Sequence, residues 1–263
     1  MINLCLVIMI LYRVIRLFMN NIKLTIEYIG TPYSGWQYQN DEKTIQGEIE
    51  KALFKFSGEQ ITIQGAGRTD AGVHALGQCA NFNMKKDFSE FQILNGLNFH
   101  LGNEKIKISQ VEKVDEDFNA RFTAKTKTYL YQVFNSSSPS VLEGEFSIHI
   151  KQKLDITAMQ TAINFFQGKH DFSAFRSSGC QAKTPIRSIK EVGIDIKENK
   201  LIFIFKAQSF LYQQIRIMVG TLLEIGLNNK KPDWIQELFL SKNRALAGPT
   251  MPSKGLILKG IQY

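Results

Sequence analysis

Ile22, Leu24, Ile26 and Tyr28 alternate with Lys23, Thr25 and Glu27 near the start of the chain. That period of two predicts a half-buried strand. A turn-rich loop with two large aromatics follows, Gly30-Thr31-Pro32-Tyr33-Ser34-Gly35-Trp36-Gln37. Thr44 then stands where a helix needs a cap, ahead of an apolar face of Ile45, Ile49, Leu53 and Phe56. Branched and polar residues alternate again over 61–64, and extended structure resumes over 75–83. A helix over about 88–97 and a strand over 106–114 complete one unit.

The second half repeats these kinds of element. Tyr129, Tyr131 and Val133 alternate as a strand, and Asp155 caps a helix carrying Ile156, Met159, Ile163 and Phe166 on one face. Strands are predicted over 186–196 and 201–207, then a long helix with Leu211, Ile215, Met218, Leu222 and Ile225 at helical spacing. These stripes read as core. The alternation of elements, joined by short loops, predicts an α+β fold of two similar halves with mainly antiparallel sheets flanked by helices. The expected division is 19–117 and 118–263, with a cleft between the halves as the place for a site.

Composition narrows the function. The chain has 263 residues, 44% of them hydrophobic and 11% aromatic, as in a folded globular protein. A net charge of +8 and pI near 9.3 point to a polyanionic partner. Lys125-Thr126-Lys127-Thr128-Tyr129-Leu130-Tyr131 mixes cations with aromatics, as in surfaces that read unpaired RNA bases. Three cysteines, Cys5, Cys79 and Cys180, share no ligand spacing and imply a reducing compartment without a disulfide framework. His74, His100, His149 and His170 are dispersed, so no metal site is expected. Residues 1–18 are almost wholly apolar but broken by Arg13 and Arg16. They are short for a membrane span and lack a signal-peptide cleavage site. The expectation is an upstream extension with Met19 as the true start; membrane association follows only if this segment is genuine.

The densest chemistry lies between the strands over 61–64 and 75–83. Arg68 and Asp70 stand two residues apart in Gly65-Ala66-Gly67-Arg68-Thr69-Asp70-Ala71-Gly72-Val73-His74. Such a segment suits a plain turn. It also suits a held carboxylate kept ionised by a neighbouring cation, the requirement for a nucleophilic Asp. A phosphate-binding loop does not fit, because Asp70 stands where a dinucleotide fingerprint has its third glycine, and no Gly-Lys-Ser/Thr follows.

This ten-residue segment resembles, without a gap, the catalytic loop of the TruA family of tRNA pseudouridine synthases. The resemblance extends from Met19 to Tyr263. It includes the Gly30 to Gln37 loop, and Ala120-Arg121-Phe122-Thr123-Ala124 leading to the Tyr129-Leu130-Tyr131 pair. It also includes Lys169 to Arg176, the Cys180, Gln181, Thr184 and Arg187 pattern, and Gly255-Leu256-Ile257-Leu258. One segment departs: around Ser209 to Arg216 the family has a small residue, a His and an Asn where this chain has Ser209, Tyr212 or Gln213, and Ile217. Arg216 is kept.

The resemblance implies conversion of uridine to pseudouridine at positions 38, 39 and 40 of the tRNA anticodon stem-loop, with neither cofactor nor metal. Asp70 is the implied nucleophile, on the base or on the sugar, supported by Arg68. Tyr129 is placed against the target base and Leu256 beside the Asp, while Arg176 and Arg187 are implied substrate contacts and Arg216 an implied contact to the RNA or to the Asp. A homodimer binding tRNA in the cytoplasm is implied as well. Three rival readings remain at this point: a non-catalytic RNA-binding relative, a membrane-associated RNA factor, and a pseudouridine synthase with another RNA substrate.

Overall fold

The computed structural model describes residues 20–263. The strands are β1 (Asn20–Tyr28), β2 (Gln64–Gly65), β3 (His74–Met84), β4 (Ile106–Val114), β5 (Thr126–Asn135), β6 (Ile148–Ile150), β7 (Gly168–Asp171), β8 (Ile186–Lys197), β9 (Lys200–Ala207) and β10 (Leu256–Gln262). The helices are α1 (Ile45–Ser57), α2 (Glu90–Leu101), α3 (Ile156–Ile163), α4 (Gln214–Gly226) and α5 (Trp234–Ser241). The residues over 1–18, and with them the extension or membrane reading, lie outside those described. Among the described residues no helix is long and apolar enough to cross a membrane.

The fold is α+β, and its sheet is mainly antiparallel. The strand order is β4-β1-β3-β10-β5-β9-β8-β7, with β2 added to β3 and β6 to β5. Strand β10 joins the two halves, running parallel to β3 and antiparallel to β5. It also divides its side chains between two cores. Leu258 packs with Ile22, Leu24, Ile49 and Leu97 in the first half, and Leu256 with Tyr131, Phe203 and Met218 in the second. Neighbouring positions two apart thus serve different cores, because β10 lies at the seam between them.

Local chemistry places the helices as the pattern requires. Thr44 accepts from the Gly47 N–H at the start of α1, and Ser89 and Gln92 form a capping box on α2. That box starts α2 at Glu90, two residues beyond the expected start, and leaves Phe88 outside the helix. The 61–64 stretch is only partly a strand. Ile61 and Ile63 are buried, but ladder pairing begins at Gln64, and the Ile63 N–H goes to Glu50 Oε1 at 3.0 Å. A carboxylate on α1 satisfies the backbone there in place of a partner strand. The long helix begins at Gln214, so Leu211 precedes it; the Leu211 N–H bonds Gln214 Oε1 at 2.7 Å.

Candidate active site

Asp70 sits in the loop between β2 and β3, and nearly every peptide around it is held. The Ala66 N–H bonds Cys79 O at 2.8 Å, the Trp36 N–H bonds Thr69 O at 3.0 Å, and the Val73 N–H bonds Asp70 O at 3.1 Å. Gln78 Nε2 donates to Gly67 O at 3.0 Å, and the Tyr28 hydroxyl pairs with Thr69 Oγ1 at 2.8 Å. Two glycines permit the close approach. Gly35 has φ +92°, and a Cβ there would lie 2.8 Å from Thr69 O; Gly72 has φ +76° and would meet Ser253 Oγ at 2.6 Å. The loop is therefore a rigid shelf.

Trp36 is the wall behind that shelf. It is buried, stacks obliquely near Tyr28 with centroids 6.2 Å apart, and leaves no room for a side chain at Gly65. Tyr33, the other aromatic of that loop, is buried as well, its hydroxyl bonded to Glu104 at 2.7 Å. Trp36→Ala is expected to lower stability by about 3–5 kcal/mol, as large cavities in cores do, read as a fall in the denaturation midpoint.

The partner of the Asp70 carboxylate comes from far along the chain. Arg216 Nη1 on α4 donates to Asp70 Oδ2 at 3.1 Å, while its Nε donates to Met251 O at 2.6 Å. Arg68 was expected in this role, two residues away. Instead its Nη1 donates to Gln181 Oε1 at 3.0 Å on the opposite wall of the cleft, and its side chain is exposed. The loop turns the two side chains apart, so sequence proximity does not become contact. Burial raises the Asp70 carboxyl above the ordinary carboxylate range, and the Arg216 charge and hydrogen bond pull it back only in part.

Tyr129 on β5 faces the same space. Its ring meets Phe210 edge-on, with centroids 5.5 Å apart and planes at 90°. Burial first, then the charges of Tyr28 and Asp70, push its phenol above the usual tyrosine range, so it is a neutral hydroxyl at pH 7. Leu256, at the start of β10, is buried beside them.

These groups line a cleft of about 1080 Å³ between the two halves. Four cations line it, Arg68, Arg121, Lys127 and Arg187, against a single carboxylate, Asp70. The exposed ring of Phe122 stands on one rim, with the Arg121 guanidinium 5.5 Å from its centroid, and Tyr212 is exposed on the other. A cationic, aromatic-edged cleft around one carboxylate is suited to an RNA base drawn out of its stack.

A family model described as tRNA pseudouridine synthase matches residues 24–123 and 162–263 of this chain. The chain belongs to the tRNA pseudouridine synthase family. Proteins named tRNA pseudouridine synthase A are similar to it over nearly their whole length. The one from Acetivibrio thermocellus is 44% identical over 93% of this chain and 100% of its own. Those from Wolbachia pipientis wMel and Ehrlichia canis are 43% and 41% identical, each over 92% of this chain and 99% of its own. The family is one of isomerases acting on tRNA, and this chain is an enzyme of that kind.

Within this pseudouridine synthase the expected site residues divide. Asp70, Arg68, Tyr129, Leu256 and Arg187 line the cleft, and Arg216 lies beneath it on Asp70. Arg176 does not line it: its Nη2 donates to Cys180 O at 2.7 Å and Ala182 O at 3.1 Å, holding the loop that carries Gln181. Arg187 Nη1 likewise donates to Thr184 O at 2.9 Å and Ile186 O at 2.6 Å. Of the departures, Ile217 is wholly buried in the second core, whereas Ser209, Tyr212 and Gln213 border the cleft, Gln213 at φ +58°. Lys127 and Arg121 stood in segments quoted from the sequence, but neither they nor Phe210 were named as site residues. For Lys127 a signal existed: it lies two residues before Tyr129, and the period of a strand puts both on one face.

Proposed function

We propose that the chain isomerises uridines at positions 38, 39 and 40 of the tRNA anticodon stem-loop, with Asp70 as the nucleophile. The observation that carries this reading is the single carboxylate in a cationic cleft, ion-paired with Arg216 and facing Tyr129. The target nucleotide leaves its stack at a cost of a few kcal/mol, which phosphate contacts elsewhere in the cleft offset. Asp70 then attacks the base or the sugar as the bond from C1′ to N1 breaks. The base turns while bound, C1′ bonds C5, the bond to Asp70 breaks and returns its electron pair to the carboxylate, the C5 proton leaves, and N1 takes up a proton. Atoms and electrons balance without an oxidant or reductant. Leu256 excludes water from the intermediate. Arg68, exposed across the cleft, fills the space of the displaced nucleotide, and Arg187 contacts the RNA. Two copies of the chain hold one tRNA in the cytoplasm.

Tyr129 stacks on the flipped base and takes part in removing the C5 proton. Its raised phenol pKa makes the phenolate scarce but a strong base once formed. Tyr129→Phe is accordingly expected to lower kcat on the order of 10²-fold while leaving the dissociation constant for tRNA within a few-fold. A loss confined to binding contradicts the proton-transfer role.

The overall reading is tested with tRNA carrying tritium at uridine C5. Release without added cofactor, and pseudouridine mapped to positions 38, 39 and 40, are expected. Product at other positions reassigns the substrate, and absence of release overturns the reading.

A further inference from the structure

Lys127 lies inside the cleft with an incomplete set of partners. It projects from β5 on the same face as Tyr129, and its Nζ donates to Ala66 O at 2.6 Å in the Asp70 loop. A Cβ at Gly67 would lie 2.8 Å from that nitrogen, so the absence of a side chain there is what lets the ammonium reach the loop. An ammonium has three donors, and only one is used here. Among the described residues no carboxylate pairs with it. Burial, and after it the like charge of neighbouring Arg121, depress the lysine to about 8. A half-buried cation beside another cation, tied only to a neutral carbonyl, has lost hydration without gaining a counter-charge. An anion brought by the substrate restores it.

We propose that Lys127 is the phosphate ligand of the target nucleotide, and that it positions that nucleotide over Asp70 by bonding the RNA and the Asp70 loop at once. The inference rests on the tRNA-modifying reading of this cleft. Lys86, Lys107 and Lys254 also donate to backbone carbonyls, but outside the cleft; Lys127 is fixed by the loop that carries the reacting carboxylate. It thereby measures the distance from phosphate to Asp70, and a shorter or neutral side chain loses both the charge and the register.

The test compares wild type, Lys127→Gln, Lys127→Arg and Gly67→Ala in tRNA binding across a salt series and in tritium release. Active wild type establishes the underlying reading, and only its inactivity counts against that reading. For Lys127→Gln, tRNA binding near 0.1 M salt is expected to weaken roughly tenfold. The slope of log affinity against log salt is expected to become shallower by about 0.7–0.9, one phosphate contact. Lys127→Arg keeps the slope. Gly67→Ala, which pushes the ammonium aside without removing it, gives an intermediate affinity. Wild-type affinity and slope in Lys127→Gln overturn the proposal. So does a fall in kcat with binding intact, which makes Lys127 a strut for the loop alone.

Discussion

Asp70→Asn is expected to bind tRNA with an affinity close to that of wild type and to release no tritium from uridine C5. The amide is nearly isosteric with the carboxylate, so the loop bonds to Ala66, Thr69 and Asp70 backbone atoms are untouched. The Asn oxygen can still accept from Arg216. What disappears is the negative charge that makes the group a nucleophile, and the rate should fall on the order of 10⁴-fold or more. Single-turnover assays with saturating enzyme separate this from a binding defect. Substantial turnover by the variant would falsify the assignment of Asp70.

Arg216→Gln should have the next largest effect, and its sign follows from the ion pair. The reacting form of Asp70 is the carboxylate. Burial already holds the carboxyl above the ordinary range, and Arg216, 3.1 Å away, is the group that opposes this. Removing that cation leaves burial unopposed, so the folded-state pKa rises further. Activity is lost as pH falls through that value. The acidic limb of the kcat/KM profile therefore moves to higher pH in the variant, and raising the pH recovers part of the rate. At pH 7 the loss should be on the order of 10²-fold, as for removal of one well-placed charged partner. Arg216→Lys reaches one of the two acceptors, Asp70 Oδ2 or Met251 O, but not both, and should restore only part of the activity. An unchanged acidic limb in Arg216→Gln contradicts the electrostatic role.

The depressed Lys127 and the raised Asp70 describe one design. Both groups are partly buried in the cleft, and each is more costly to charge there than in solvent. The enzyme alone has a single carboxylate facing four cations. Phosphate from the substrate completes that balance, which couples recognition of the RNA to the electrostatics of the reacting pair.

Sequence alone determined the local elements and the identity of the central group. Alternation in β1 and β5, the caps Thr44 and Asp155, and the helical stripe of α4 are short-range features, written within a few residues of one another. The ten residues around Asp70 suited a turn as well as a held carboxylate, and pointed to a site through their resemblance to a catalytic loop. The 61–64 stretch was misread as a strand because its alternation reflects burial alone, and only Glu50 on α1 reveals where its backbone hydrogen bond goes. Tertiary structure decided everything that depends on partners distant in the chain. Strand β10 closes the seam between halves that precede it by scores of residues, and no local pattern specifies which strands it enters between. The counter-charge of Asp70 was decided likewise. Arg68 is two residues away but turns to Gln181, whereas Arg216, 146 residues on, is brought to 3.1 Å by the packing of α4. Side-chain direction in a loop is set by its backbone turns, and ion pairing is set by distance in space. A linear sequence carries the first only weakly and the second not at all.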